Sequence, residues 1–458
     1  MTEERNLGGL SKTDREKLMQ SLRAGRKTGR GHRAEPVRKS ATKAQAFDFA
    51  SLPEIKQMRM QMAAAEMIGI ANPFFRAHDA LAGATTRING REHDNFASYN
   101  YLGLSGHPDV SGAAKRAIDD FGTSVSASRV VAGERPFHRD LEHALAELHG
   151  VEDSIVYVSG HATNVTTIGH LLGEGDLILT DALIHNSITE GARLAGAKRL
   201  NFPHGNLDAL EAHLETHRHR HEHVLIAVEG LYSMDGDIPD LPRLIALKQR
   251  HGAWLLVDEA HSIGVLGARG YGIAEHFGID PGAVELWMGT LSKTMASCGG
   301  YIAASSALCD YLRATAPGFV YSVGMAPPLA AAALAAIGVM KREPQRVARL
   351  KRNGHHFLKA ARAAGLDTGP SDGYSVVPVM VGDSVRAAML ANALLEDGVN
   401  ALPIIFPAVA ENAARLRFFI TSEHTAEQID RAVHLTAQKL TALRESGVGL
   451  KTLMDGAR

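Results

Sequence analysis

Two short apolar segments of this chain end in side chains that could do chemistry together. Trp254–Val257 leads into the sequence DEAH at Asp258–His261. Val284–Met288 leads into GTLSK at Gly289–Lys293. Such runs predict buried strands, and ligands of open α/β sheets bind just beyond the carboxyl ends of the strands. A carboxylate, an imidazole, a hydroxyl and a lone lysine at these ends suit a pyridine-aldehyde cofactor, because the lysine can form a Schiff base while the acid keeps the ring nitrogen protonated.

An anion site is predicted upstream of these segments. The apolar run Ser154–Val158 breaks sharply into a turn of small residues, Ser159–Asn164, after which a helix is expected. Unpaired N–H groups and the helix dipole point at a turn of this kind. The turn is therefore a candidate phosphate site.

Strand-like and helix-like segments alternate through the middle of the chain. Segments of strand length, most of them apolar, recur at 154–158, 177–179, 199–202 and 224–228, and then in the two segments described above. This alternation predicts an α/β fold with a mostly parallel sheet and helices on both faces. From about Gly369 the pattern changes to a smaller α+β unit, with strands at 376–381 and 416–420 and helices at 386–395 and 427–443.

Composition is typical of an ordinary globular protein of enzyme size. The 458 residues are 45% apolar, and the formal net charge of −1 gives no electrostatic reason to bind nucleic acid or a membrane surface. Two cysteines without metal-ligand spacing favour a reducing, cytoplasmic setting and argue against a metal site. No apolar run approaches the roughly 20 residues of a membrane-spanning helix, so no integral membrane segment is expected. The histidine-rich segment His217–His223 is interpreted as the solvated end of a helix.

The patterns divide the chain into five parts. Residues 1–45 are basic and poor in large apolar side chains, which predicts a disordered arm, with a docking arm for an acidic partner as the alternative. A helical segment, 46–95, follows, and its methionines, including Met58 and Met62, are expected to pack. The remainder is divided into a large domain, 96–345, a small C-terminal domain, 346–445, and a tail, 446–458.

Several motifs, taken in order, resemble those of the α-oxoamine synthases, the branch of fold-type I pyridoxal-phosphate enzymes that condenses an amino acid with an acyl thioester. The motifs are YNYLGL at 99–104, Ser128-Arg129 with Gly133 and His138, SGHATN at 159–164, Asp181–His185, EGLYSMDG at 229–236, DEAH at 258–261, GTLSK at 289–293 and ARLR at 414–417. The resemblance implies a large domain with a mostly parallel seven-stranded sheet flanked by helices, a smaller α+β C-terminal domain, and pyridoxal 5'-phosphate (PLP) as the cofactor.

The resemblance also implies roles for the residues around the cofactor. Lys293 would form the Schiff base, Asp258 would accept a hydrogen bond from the pyridine nitrogen, and His261 would donate to the phenolate oxygen. His185 would stack on the ring. The remaining contacts would come from hydroxyls and backbone N–H groups near the phenolate and the phosphate, namely those of Ser233, Thr290, Gly160 and His161, with Ser322 reaching the phosphate of the neighbouring subunit in a homodimer.

On the substrate side, Arg417 would hold the carboxylate of the amino acid as a planar fork, with Asn100 nearby. The implied reaction joins the α-carbon to an acyl thioester, carried by coenzyme A or by an acyl carrier protein, and releases carbon dioxide. Three alternatives stay open at this point: an 8-amino-7-oxononanoate synthase of biotin synthesis, a PLP aminotransferase, and a non-catalytic partner subunit or binding protein. The presence of Lys293, Asp258 and His261 argues against the last of these.

The substrate preference depends on a few positions. Ser128, before Arg129, stands where glycine-using members carry threonine, and its smaller side chain favours alanine or serine over glycine. Ser292 resembles the residue that precedes the lysine in serine palmitoyltransferase-type members. The loop Thr123–Ala127 departs from the family's glycine-rich pattern, and Val323 and Gly324 stand where a hydroxyl is usual, which leaves Ser322 as the substitute. The basic N-terminal arm favours a carrier-protein thioester, because such carriers are acidic.

Overall fold

The chain folds around one large sheet and a smaller C-terminal sheet, as seen in a computed structural model that describes residues 48–67 and 70–449. In chain order the strands are β1 Thr85–Ile88, β2 Arg91–Asn95, β3 Asp153–Tyr157, β4 Leu177–Asp181, β5 Lys198–Phe202, β6 Val224–Glu229, β7 Trp254–Asp258, β8 Leu286–Thr290, β9 Gly300–Ala304, β10 Val376–Met380, β11 Val399–Asn400, β12 Leu402–Ile404 and β13 Arg415–Phe419. The helices are α1 Pro53–Met67, α2 Pro108–Phe121, α3 Pro136–His149, α4 Gly160–Leu171, α5 Asn186–Ala195, α6 Leu207–His217, α7 Leu241–His251, α8 Ile273–Phe277, α9 Ser306–Thr315, α10 Pro317–Val320, α11 Pro327–Arg342, α12 Gln345–Ala363, α13 Ser384–Glu396 and α14 Ala426–Glu445.

The large sheet has seven strands in the order β3-β9-β8-β7-β6-β4-β5. Strand β9 runs antiparallel to both of its neighbours, and the other pairings are parallel. Successive side chains of β4 and β6 enter two separate apolar clusters, so that Ile226 lies in one cluster and Leu225 in the other. Both faces of the sheet are therefore buried, which explains why these strands are continuous apolar runs. The predicted α/β fold with a mostly parallel seven-stranded sheet is confirmed.

The C-terminal unit consists of the antiparallel sheet β10-β13-β12 with helices α13 and α14, as predicted. Its middle strand, β13, contacts the loop that follows β6 of the large sheet. Arg415 of β13 pairs with Asp235 in the loop after β6, and Arg417 donates to the Ser233 carbonyl oxygen of the same loop at 2.8 Å. A Cβ on Gly236 would stand 2.0 Å from the Val376 carbonyl oxygen of β10, so only a glycine allows the loop to lie this close to the small sheet.

Three features of the N-terminal part differ from expectation. Strands β1 and β2 form a hairpin that the sequence patterns did not indicate, and β11 pairs with β2 in parallel. Helix α1 is shorter than predicted. Met58 and Met62 of α1 are 50% and 55% exposed, so the expectation that they pack is wrong for a single chain. The predicted arm, 1–45, and residues 450–458 of the predicted tail, 446–458, lie outside the described residues, and the division into five parts stays a prediction.

Within the ranges that the structure describes, no helix is long and apolar enough to cross a membrane.

Candidate active site

The predicted strand ends converge on one cavity of about 200 Å³ at the carboxyl edge of the large sheet. The loops that follow β3, β4, β7 and β8 contribute to its wall, together with the end of β6. The residues that line it are Ser159, Gly160, His161, Asn164, His185, Ser187, Glu229, Asp258, Ala260, His261, Met288, Thr290, Ser292 and Lys293. The structure thus brings together the residues predicted around the aldehyde, the ring and the phosphate of the cofactor.

The amine of Lys293 lies in this cavity near an aromatic ring. Its Nζ is 5.6 Å from the centre of the Tyr99 ring. Burial lowers the pKa of Lys293 to about 8, although the nearby carboxylates of Asp258 and Glu229 oppose the shift. A substantial fraction of the amine is therefore neutral and nucleophilic near neutral pH.

The carboxylate of Asp258 ends β7 and is 4% exposed. Its Oδ2 accepts a hydrogen bond of 3.0 Å from the Asn164 side-chain amide, and its Oδ1 accepts one of 3.0 Å from the Ala260 backbone N–H. Two N–H donors hold this carboxylate in one orientation, so that it can accept a further hydrogen bond from a ring N–H.

His261 and His185 supply two imidazoles. The His261 Nδ1 is 2.6 Å from the Tyr101 hydroxyl, in a fully buried pair. Burial holds the pKa of His261 well below its ordinary value, and the cations Lys293 and Arg417 lower it further. Burial also lowers the pKa of His185, against the attraction of Asp258. Both rings are therefore neutral hydrogen-bonding groups at neutral pH.

The anion turn has the geometry that was predicted. Helix α4 begins at Gly160, and the Ser159 hydroxyl, at the N-cap, accepts the Ala162 N–H at 3.4 Å. The first N–H groups of a helix have no partner inside it and attract anions. A Cβ on Gly160 would stand 2.7 Å from the Thr290 Oγ1, so a glycine is needed for the turn to approach β8 this closely.

Two more predicted residues lie beside the cavity, Arg417 on β13 and Ser233 on the loop after β6. The guanidinium of Arg417 lies 4.6 Å from the centre of the Phe419 ring, and its Nη2 is 3.5 Å from the Tyr99 hydroxyl. Its Nε is buried without a hydrogen-bond partner within the described part of the chain. The Ser233 N–H donates to Glu229 Oε2 at 2.9 Å. Arg417 therefore retains one donor that no residue of the described chain uses.

The structure does not bring four other predicted residues to this cavity. Asn100 is buried, with its amide donating to the Ala82 carbonyl oxygen and accepting the Ser105 N–H. Arg129 is bound by two carboxylates, those of Glu134 and Glu142, and is 8% exposed. Its guanidinium is thus engaged within the chain. Arg129 and Ser322 line a separate small cavity beside Gly324, and the Ser128 carbonyl oxygen accepts N–H groups from a π-helical turn at Arg129–Gly133.

Sequence patterns missed Glu229, Asn164, Ser187, Tyr99 and Tyr101 as parts of the site. The Glu229 side chain is 3% exposed, and its Oε1 has no hydrogen-bond partner among the described residues. Burial raises its pKa to about 8, and the Asp258 carboxylate adds to the shift. Glu229 is paired in register with Asp258 across β6 and β7. The one sequence signal that could have identified Glu229 is its position as a carboxyl residue at the end of an otherwise apolar strand.

These residues fit PLP. The cavity offers a lysine amine with a lowered pKa for the aldehyde, an oriented carboxylate for the pyridine nitrogen, neutral imidazoles, and a helix N-terminus for the phosphate. Buried polar atoms without partners in the described chain, Asn164 Oδ1 and Glu229 Oε1, also line it. In the same part of the chain no group of three or more His, Cys, Asp or Glu side chains could hold a metal ion. Helix α6 ends at His217, so the interpretation of the histidine-rich segment as a helix end is confirmed.

The seven-stranded sheet and this constellation define the class of fold-type I PLP enzymes. The family model for aminotransferase class I and II matches residues 93–435. An 8-amino-7-oxononanoate synthase from Symbiobacterium thermophilum is 41% identical over 76% of this chain and 88% of that protein. A 4-hydroxy-2,2'-bipyrrole-5-methanol synthase, PigH, from Serratia sp. is 41% identical over 75% of this chain, which spans 52% of that protein's length.

A solved structure of a variant serine palmitoyltransferase from S. paucimobilis, with a bound PLP–myriocin aldimine, superposes with a TM-score of 0.83. It is 28% identical, over 87% of this chain and 100% of that chain. The chain belongs to the α-oxoamine synthase family, whose members are PLP-dependent acyltransferases that condense an amino acid with an acyl thioester.

Proposed function

We propose that this protein catalyses the decarboxylative condensation of a small amino acid, alanine or serine rather than glycine, with an acyl thioester to give an α-amino ketone. The observation that carries the proposal is the position of Tyr99 between the two groups that such a reaction needs. The ring of Tyr99 faces the Lys293 amine, and its hydroxyl faces the Arg417 guanidinium. A base for the α-proton therefore lies over the face of one aromatic ring, and a cation for the α-carboxylate lies at the hydroxyl of the same ring.

The residues of the candidate active site have separate roles in the proposed reaction. PLP, when bound, supplies an electron sink for negative charge at the α-carbon. Arg417 binds and orients the carboxylate of the amino acid, and Asp258 keeps the sink effective by holding a proton on the pyridine nitrogen. Lys293 takes the α-proton as a neutral amine. The α-carbon then bonds to the thioester carbonyl carbon, and the C–S bond breaks with release of the thiolate, which takes up a proton. The carboxylate leaves as carbon dioxide, and the α-carbon takes up a proton in its place.

The preference for alanine or serine rests on Ser128, whose small side chain leaves room for a substituent on the α-carbon. Within a single chain Ser128 lies outside the cavity, so this preference requires a neighbouring subunit or a loop movement to bring it close. An 8-amino-7-oxononanoate synthase is the second candidate, because the relative with that name is 41% identical. A PLP aminotransferase is disfavoured, since the two relatives described above are synthases.

A homodimer is part of the proposal. Val131 and Tyr321 are 82% and 86% exposed, and they lie on two segments that touch where the Gly324 N–H donates to the Ala127 carbonyl oxygen at 3.0 Å. Exposed apolar side chains that cluster in this way mark protein interfaces. A second copy on this surface would bring Ser322 and the Ser128 loop towards a neighbouring cavity. A cytoplasmic location is also proposed, supported by the free thiols of Cys298 and Cys309.

The experiment is a visible-absorbance titration of the PLP-loaded protein with glycine, alanine and serine, each followed by an acyl thioester. We expect alanine or serine to change the spectrum and the thioester to change it again. A response to glycine alone would overturn the preference based on Ser128. If borohydride fails to fix PLP to Lys293 in the wild-type protein, the proposed enzyme function is wrong.

A further inference from the structure

A buried chain of hydrogen bonds joins two residues of the candidate active site that are distant in sequence. Asn164 Nδ2 is 3.0 Å from Asp258 Oδ2 and 2.9 Å from Ser187 Oγ. Ser187 Oγ is in turn 2.7 Å from His185 Nδ1. Asn164 is 1% exposed and Ser187 is fully buried, so water does not compete for these contacts. The chain runs from the end of β7, through helix α4, to the start of α5.

The direction of each hydrogen bond follows from the chemistry of Asp258. Its carboxylate accepts the Ala260 N–H on one oxygen, and an ionised carboxylate has no hydrogen to donate. Asn164 must therefore present its NH2 group to Asp258, which also turns that group to Ser187. Both amide hydrogens are then in use, and Asn164 Oδ1 is left without a partner among the described residues.

The same argument determines which ring nitrogen of His185 carries the hydrogen. Because Ser187 Oγ accepts from Asn164, its own hydrogen is free to point at His185 Nδ1. The Ser187 backbone N–H also points at this nitrogen, at 3.3 Å. Two donors aimed at Nδ1 leave it unprotonated, and a neutral imidazole then carries its hydrogen on Nε2. Burial, which disfavours the charged ring, acts in the same direction.

We propose that Asn164 and Ser187 are positioning residues that hold His185 as the Nε2–H tautomer and, through the same amide group, orient the Asp258 carboxylate. His185 then offers a hydrogen-bond donor to the substrate and has no free site at which to take up a proton. The assignment of a use to that donor rests on the proposed function, whereas the tautomer itself does not.

The test is 15N NMR of histidine-labelled protein without substrates, with the His185 signals identified from their loss in His185→Gln. We expect the wild-type protein to show an unprotonated Nδ1 and a protonated Nε2. Ser187→Ala removes the hydroxyl donor, so we expect mixed tautomers and an upward shift in the pH at which His185 titrates. Ser154→Ala is the matched control, because Ser154 is also fully buried and its hydroxyl donates only to the Glu142 carbonyl oxygen outside the network.

Asn164→Ala provides a second variant in case Ser187→Ala fails to fold. It leaves the Ser187 hydroxyl without the donor that sets its direction, and we expect the same mixing of tautomers. We expect Ser187→Ala and Asn164→Ala each to lower kcat roughly tenfold, because each variant loses one hydrogen bond that orients a group of the site. A pure Nε2–H tautomer with unchanged titration in Ser187→Ala would overturn the proposal, even if activity falls. A wild-type protein that shows the expected tautomer but does not condense its substrates would instead contradict only the proposed function.

Discussion

At Lys293, burial and neighbouring carboxylates act on the same proton in opposite directions. Burial disfavours the ammonium ion, whereas the Asp258 carboxylate, and Glu229 when it is ionised, favour it, and the outcome is a pKa of about 8. Near neutral pH the amine is thus partly protonated, and its neutral fraction can act as a nucleophile and a base.

We expect covalent labelling of Lys293 by PLP, trapped with borohydride, to increase with pH and to reach half its maximum near pH 8, because only the neutral amine reacts. Peptide mapping by mass spectrometry gives the extent of labelling at this residue. Lys293→Ala is the control for labelling elsewhere. Labelling of Lys293 that still rises steeply above pH 10 would contradict the lowered pKa.

Glu229 is a second titrating residue of the cavity. Its pKa, raised to about 8, means that the carboxyl group is neutral at pH 7. Glutamine matches this neutral form and can still accept the Ser233 N–H, so we expect Glu229→Gln to keep kcat/KM within about threefold below pH 7. Glu229→Ala removes the acceptor, and we expect a loss of about tenfold or more. Equal losses in the two variants would show that the charge of Glu229, not its hydrogen bonds, matters at pH 7.

At the scale of elements, buried ion pairs hold the loop at 122–135 against helix α3. Glu142 of α3 is fully buried and bonds to Arg129, Arg139 and the Val156 N–H of β3. Glu134 binds the same Arg129, but its side chain is 44% exposed. The two carboxylates therefore make the same kind of bond in different surroundings.

We expect Glu142→Gln to lower the free energy of unfolding by about 3–5 kcal/mol, because it leaves part of the charge of Arg129 buried and unpaired. Glu134→Gln is the matched control and should cost about 1 kcal/mol or less, since water replaces the exposed carboxylate. Urea unfolding measures both values. A larger loss in Glu134→Gln than in Glu142→Gln would contradict this order.

A second contact between elements is pH-dependent. His204, after β5, lies between Asp181 at 2.8 Å and Asp237 at 2.9 Å. Burial opposes its charge, but the two carboxylates raise the pKa of His204 to about 10. Because the folded state holds this proton more tightly than the unfolded state, the stabilisation is complete below pH 6.5 and is lost as the pH rises towards 10. Asp181 also opens the segment that carries His185, so this contact stabilises the wall of the cavity.

We expect His204→Gln to lower the thermal unfolding midpoint by several degrees at pH 6 and by much less at pH 10, where the wild-type protein loses the same interaction. Thermal scans of both proteins at the two pH values measure the difference. A difference in midpoint that is as large at pH 10 as at pH 6 would show that His204 acts through packing alone.

Sequence patterns predicted the elements with strong periodicity and missed contacts between distant residues. The inner strands of the large sheet were predictable because both of their faces are apolar, and Asp258 and Lys293 were predictable because they lie at or just beyond the ends of such strands. The hairpin β1–β2 was missed, since its strands are short and many of their residues are charged and exposed. The partners of Arg129 and the network through Asn164 and Ser187 depend on side-chain packing across several elements, which no local pattern encodes.

At the scale of the whole molecule, the cavity on one chain lacks some of the predicted substrate contacts. Ser128, Arg129 and Ser322 lie together near an exposed apolar surface that includes Val131 and Tyr321. In the proposed symmetric dimer, the same patch of each subunit would lie against the other, which would account for the absence of these residues from the cavity of their own chain.

We expect Val131→Glu to shift the protein from dimer to monomer in analytical ultracentrifugation, because a buried, unpaired charge opposes association. Tyr311→Glu is the control. It changes a 48% exposed aromatic residue on α9, beside the opposite end of the large sheet, and should leave the mass unchanged. A wild-type monomer, or a dimer that survives in Val131→Glu, would contradict this interface.

The most direct test of the proposed reaction is the balance between carbon dioxide and thiol. Purified protein with PLP is given alanine or serine labelled with 13C in the carboxyl group, together with an acyl thioester, and labelled carbon dioxide, free thiol and product mass are measured together. We expect one carbon dioxide and one thiol for each α-amino ketone, and none of them with Lys293→Ala. Formation of the corresponding keto acid without release of thiol would contradict the account and indicate a transaminase.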